Sequence, residues 1–166
     1  MSMRLLTLGS AAALAVLLVC SATPRSRAEE SGQVIADSGV VKVRSAYPLA
    51  ETIERLKQDI AVKGIMFFSV IDQSRLEADA GIKVRPTSLL VFGNPALGTQ
   101  FLTSNQVAGL DWPVRLLVFE DESGQVWAAY TDFAYIARRH HITDRGEAFD
   151  KASMVIASIT SSVAAK

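Results

Sequence analysis

Sulfur and imidazole are scarce in this chain. Of 166 residues one is cysteine, Cys20, and two are histidine, His140 and His141. With Cys20 lost alongside an N-terminal leader (argued below), no disulfide, thiol nucleophile or cysteine-held metal remains beyond it. Two adjacent histidines point about 100° apart on a helix, so one ion can hardly take both, and no third ligand stands at a metal-like spacing. The expectation is no metal and no cofactor. A block of positive charge is also missing: basic and acidic residues number 17 each, and Arg138-Arg139 is the densest basic spot. Nucleic-acid binding needs a concentrated cationic face, so it is excluded. There is no repeat, no low-complexity tract, no phosphate-loop glycine spacing and no nucleophile elbow around a serine. Asp121-Glu122 offers too few oxygens for a calcium loop.

What is present begins with an address. Arg4, an apolar stretch densest over Ala11 to Cys20, and Ser26-Arg27-Ala28 before Glu29-Glu30 follow the basic, apolar, small order of a secretory signal. The reading is a signal peptide over 1–28 and a periplasmic or secreted product with no stable membrane span after cleavage. Two lesser alternatives stay open. The uncharged run from Leu5 to Pro24 is long enough for an uncleaved anchor, although it contains Gly9 and Pro24. Cys20 suggests a lipoprotein, although Val19 is a poor residue before it. Three basic residues and no acid precede Glu29, leaving 14 basic against 17 acidic, a balance of −3. The 138 residues from Glu29 suit one domain.

Residues 29–38 read as a linker. Val40 to Arg44 has the β-branched weight of a strand. Pro48 suits the first position of a helix in which Leu49, Ile53, Leu56 and Ile60 line one face and Gly64 supplies the stop. Ile65 to Ile71 is almost continuously apolar and reads as a central strand. Ser74 to Ala80 is a short helix or turn, and Thr87 to Phe92 a strand. Asn94 and Pro95 cap and open a helix to about Ser104. Val114–Phe119 and Gln125–Thr131 form a hairpin about Asp121–Gly124. Asp132 caps a helix carrying Phe133 and Ile136. Phe149, Ala152, Ile156, Ile159 and Val163 line a last amphipathic helix, assigned to a separate C-terminal segment, 145–166. Strands joined by hairpins with helices over one face give an α+β single domain with an antiparallel sheet, placed at 39–144.

Tyr130, Asp132, Tyr135, Arg138 and His140 form the densest polar and aromatic group. A carboxylate, a phenol and an imidazole near one another can exchange protons, so His140, Asp132 and Tyr135 are the candidate acid–base set. The plainer account makes Asp132 a cap, Tyr135 a half-buried ring and His140 a helix-end residue. Gly93-Asn94-Pro95 can present backbone N–H groups to an anion, or simply be a capped turn. Trp112, Trp127, Tyr47 and Tyr130 can line a groove or belong to the core.

RPTSLLVFGNP (85–95), GLDWPVRLLVFED (109–121), QVWAAYTDFAYIARRH (125–140) and SAYPLAETIERLK (45–57) together resemble the bacterial domain-of-unknown-function family 302, over roughly 40–141. The resemblance implies a five-stranded antiparallel sheet in a TATA-binding-protein-like arrangement and homodimers. It implies no established catalytic residue or ligand. Its motifs fall on Arg85, Pro86, Thr87, Gly93, Asn94, Pro95, Tyr130, Asp132, Tyr135, Arg139 and His140. The chain departs from the pattern at Gln73, where a histidine is expected, and at Thr131-Asp132-Phe133. Losing the first histidine removes a partner for His140 in any two-histidine site. Two functions follow as expectations. One is a non-enzymatic exported module that binds a small ligand or self-associates, with Arg85, Asn94, Tyr130 and Arg139 as candidate contacts. The other is an enzyme using His140, Asp132 and Tyr135 on an anionic substrate held by Arg85 or Asn94.

Overall fold

Side chains at every second position of three adjacent strands are buried: Leu90 and Phe92, Leu116 and Val118, Val126 and Ala128. That period of two turns one face of a sheet inward. The strands are β1 (Gln33–Ile35), β2 (Val40–Arg44), β3 (Met66–Asp72), β4 (Thr87–Gly93), β5 (Val114–Glu120) and β6 (Val126–Thr131). The structure is a computed structural model that describes residues 33–35 and 38–166; the leader read at 1–28 lies outside the described residues. The strands pair antiparallel throughout in the order β1-β2-β6-β5-β4-β3. The expected five-strand sheet is β2 to β6. The short sixth strand, β1, comes from within the stretch read as a linker and pairs with β2 through Gln33, Val34 and Ile35.

Among the described residues five α-helices accompany the sheet: α1 (Leu49–Val62), α2 (Gln73–Asp79), α3 (Pro95–Ser104), α4 (Phe133–Arg139) and α5 (Gly146–Ser161). On α1, Thr52, Leu56 and Ile60 are buried while Leu49 and Ile53 pack at the margin of the core, as the spacing predicts. Pro48 caps α1 rather than opening it, one residue from expectation. Gly64 takes φ +64°, the left-handed stop that the sequence calls for. Phe101 of α3 stacks on Phe149 of α5 at 4.2 Å between centroids.

Two expectations give way. The apolar run at 65–71 is an edge strand: among the described residues β3 pairs with β4 alone, and Met66, Phe68, Val70 and Ile71 are exposed. An apolar run reports which residues dislike water, not how many strands flank them, and the pairing with β4 slips register between Phe67 and Ser69. The last helix is no appendage either. Ala148, Phe149, Ala152, Ile156 and Ile159 of α5 are buried in the common core. The tail beyond it returns to the sheet, where Ala165 donates its N–H to Arg44 at 2.9 Å.

Candidate functional site

The residues of the polar group separate along α4. Asp132 caps its start, accepting from the N–H groups of Ala134 at 3.3 Å and Tyr135 at 3.1 Å. His140 caps its end, eight residues on, so about 12 Å of helix rise lies between them. The Tyr135 ring lies against the backbone of Gly39, where φ is +65° and any Cβ would overlap the ring. Asp132, Tyr135 and His140 therefore do not converge. A helix of seven residues holds the side chains at its two ends apart.

The carboxylate that meets His140 is Asp111, at the end of a short 3-10 turn (Gln106–Leu110). His140 Nε2 stands 2.6 Å from Asp111 Oδ2, and both side chains are buried. Arg115 Nη2 donates to Asp111 Oδ1 at 3.1 Å and Arg139 Nη1 lies 3.2 Å from the carboxylate. Asn105 Nδ2 donates to the His140 carbonyl at 2.9 Å, tying the end of α3 to the end of α4. Beside the cluster is a cavity of about 20 Å³ bounded by Asp111, Arg115, Tyr130 and Phe133, room for about one water. Burial, and secondarily the Asp132 charge, push the Tyr130 phenol above its ordinary pKa. Neither Asp111 nor Arg115 stands out in sequence. The only signal is their place within the GLDWPVR block.

A second and larger space lies between α3 and α5, over the ends of β4 and β5. This cleft has a volume of about 500 Å³. Ile65, Phe92, Leu97, Trp112, Val155 and Ile159 form much of its wall, with Lys63, Asn94, Lys151 and Ser158 the polar and charged residues that line it. Its indole wall is set by two glycines: a Cβ at Gly93 or Gly98 would overlap the Trp112 ring. Phe101 meets the same indole edge-on, at 6.2 Å between centroids. Asp111 and Trp112 are consecutive, and Val114 and Phe133 line both the cleft and the small cavity. The ionic cluster thus holds the segment that carries the cleft's aromatic wall.

The other expected contacts scatter. Asn94 lines the cleft, but its Oδ1 is taken by the N–H groups of Ala96 at 3.0 Å and Leu97 at 3.3 Å, so the capped-turn reading holds there. Arg139 and Tyr130 gather about Asp111. Arg85 is exposed on the hairpin side, donating to the Glu120 carbonyl at 3.3 Å and lying 3.9 Å from Glu122. Trp127 donates to Asp121 at 2.8 Å, and Tyr47 lies under the Arg55 guanidinium at 3.9 Å. Asp72 caps α2, and Gln73 accepts from Thr87. Among the described residues, no three His, Cys, Asp or Glu side chains are placed to share a metal ion, and no helix is long and apolar enough to cross a membrane.

The chain belongs to the family described as Domain of unknown function DUF302, whose model matches residues 41–159. That span includes most of α5. A crystal structure of an uncharacterized conserved DUF302 protein from Bacillus stearothermophilus superposes with a TM-score of 0.70 at 17% identity, covering 76% of this chain and 98% of that one. At that identity the likeness concerns the fold. Proteins named fluoride-specific ion channel FluC 1, from Brucella suis and Brucella abortus, are 41% identical over 108 residues. The match takes in 65% of this chain and 42% and 40% of theirs, so the chain spans about two fifths of the length of these curated relatives.

Proposed function

We propose that this member of the family is an exported module that binds a small, largely apolar molecule in the cleft beneath Trp112, without acting on it chemically. One observation carries the reading: a concavity of about 500 Å³ with mostly apolar walls and a few polar groups, the size and make-up of a small-molecule site. The enzyme reading loses support at the same level. His140 has a carboxylate partner, but the space beside that pair admits about one water, and His140 does not line the cleft. The test is a thermal-shift screen of the whole chain against small apolar molecules, metals and anions. A ligand at 100 times its Kd stabilises by about 2.7 kcal/mol. The expected hits lose their shift in Ser158→Trp, which fills the cleft from an exposed position; hits indifferent to that change would refute the site. Because the Brucella relatives are named for fluoride, fluoride belongs in the screen beside chloride. A shift with fluoride alone, insensitive to Ser158→Trp, would move the reading to the small cavity between Arg115 and Tyr130. Export rests on the leader, and intact mass of the chain recovered from outside the cytosol tests cleavage near Ala28.

A second reading has its own observation. The unpaired side of β3 carries exposed Met66, Phe68, Val70 and Ile71, with Leu76, Ile82 and Val84 exposed just beyond. Unpaired, apolar strand edges recruit other strands. A second copy of this chain added there would make the homodimer anticipated above.

A further inference from the structure

The charged groups of the cleft are all of one sign. Lys63 and Lys151 line it and no aspartate or glutamate does, although acids outnumber basic residues 17 to 14 from Glu29 onward. The two lysines are not equivalent. Lys63 Nζ is bound by Asp59 at 2.6 Å, one turn back on α1, which cancels most of its charge. The Lys151 side chain makes no hydrogen bond and no ion pair among the described residues, even though Glu147 stands one turn away on the same helix. Lys151 thus brings to the rim of the cleft a charge with no partner among the described residues.

The apolar surface lies next to that charge. Lys151, Val155 and Ser158 recur at four and three residues along α5, so one helix stripe carries the ammonium, an aliphatic wall and a hydroxyl. Among the described residues the Ser158 hydroxyl and the Asn94 amide nitrogen likewise have no hydrogen-bond partner, the cap using only Asn94 Oδ1. Opposite them stand Leu97 and the Trp112 ring. A neutral hydrocarbon would fill the walls and leave Lys151 to water. A cation would meet repulsion. A molecule with an apolar body and one negative group satisfies both halves, and a charge-assisted bond to an ammonium is about twice as strong as a neutral one.

Resting on the ligand-binding reading above, we propose that the cleft selects organic anions: a carboxylate, sulfonate or phosphate on an aromatic or alkyl body, with Lys151 as the charge partner. Two fluorescent probes differing by a single group test this. Anilinonaphthalene sulfonate carries an anion, and phenylnaphthylamine has the same rings without it. Titrated into the whole chain, the sulfonate should bind at least about tenfold more tightly (about 1.4 kcal/mol). Lys151→Glu should remove that advantage while leaving phenylnaphthylamine within about twofold, and Lys151→Arg should retain it. Lys151 is exposed, so all three proteins should melt alike. Equal affinities for the two probes, or a sulfonate affinity unmoved by Lys151→Glu, would overturn the anion selectivity and leave the cleft reading standing. Binding of both probes that Ser158→Trp does not reduce, or no binding at all, would overturn both.

Discussion

Asp121 shows how much one side chain in a turn can organise. Its Oδ1 accepts from the Ser123 hydroxyl at 2.7 Å and from the N–H groups of Ser123 and Gln125, while Oδ2 accepts from the Trp127 indole at 2.8 Å. These donors, the Ser123 hydroxyl foremost and the indole next, hold its pKa down to about 2 from 3.8. A depressed carboxylate contributes stability that is complete above the unfolded value and is lost as pH falls through the folded one. The Trp127 indole N–H resonance should therefore keep its bonded position to below pH 3 and shift with a midpoint near 2; a midpoint near 4 would mean that the bonds do not favour the ionised form. Asp111 is a different case, since a buried imidazole and two half-exposed guanidinium groups depend on it. Asp111→Ala should cost about 3 kcal/mol in denaturant unfolding, with the two arginines contributing least because solvent screens them. Gly98→Ala drives a methyl into the Trp112 ring and should cost about 1–3 kcal/mol by overpacking, with a shift in tryptophan emission as the indole is displaced. The caps at Asn94 and Asp132 were legible because a cap bonds within three residues of itself. The His140–Asp111 pair spans 29 residues and leaves no local mark.

At the scale of elements, legibility follows periodicity. The four- and three-residue spacing from Leu49 to Ile60 and from Phe149 to Val163 identifies helices because their buried face must recur with the helical turn. The hairpin joining β5 and β6 is equally plain, since its turn chemistry is written in Asp121 to Gly124. Strand order is not encoded that way. The β3 run is as apolar as an interior strand, and only the assembled sheet shows that one of its sides has no partner among the described residues. That edge makes its own prediction. Light scattering should find a dimer, and Val70→Lys should return it to a monomer with little change in melting temperature, because Val70 is 40% exposed. A wild-type monomer would remove the self-association reading and leave the cleft untouched.

For the whole molecule, helices packed against an antiparallel sheet leave a largely apolar concavity at the junction of α3, α5 and the ends of β4 and β5. No sequence window contains it, since its walls come from segments between Lys63 and Ile159. The sequence did show the parts that frame it: the Asn94–Pro95 start of α3, the Trp112-Pro113 entry to β5 and the apolar stripe of α5. The most direct measurement is a two-dimensional methyl and amide spectrum of the labelled chain during titration with phenylnaphthylamine. Shifts should concentrate at Leu97, Val155, Ile156 and Ile159 and leave Val70, Ile71 and Leu89 in place. Movement at the β3 edge with the α5 signals unchanged would contradict a ligand site in the cleft.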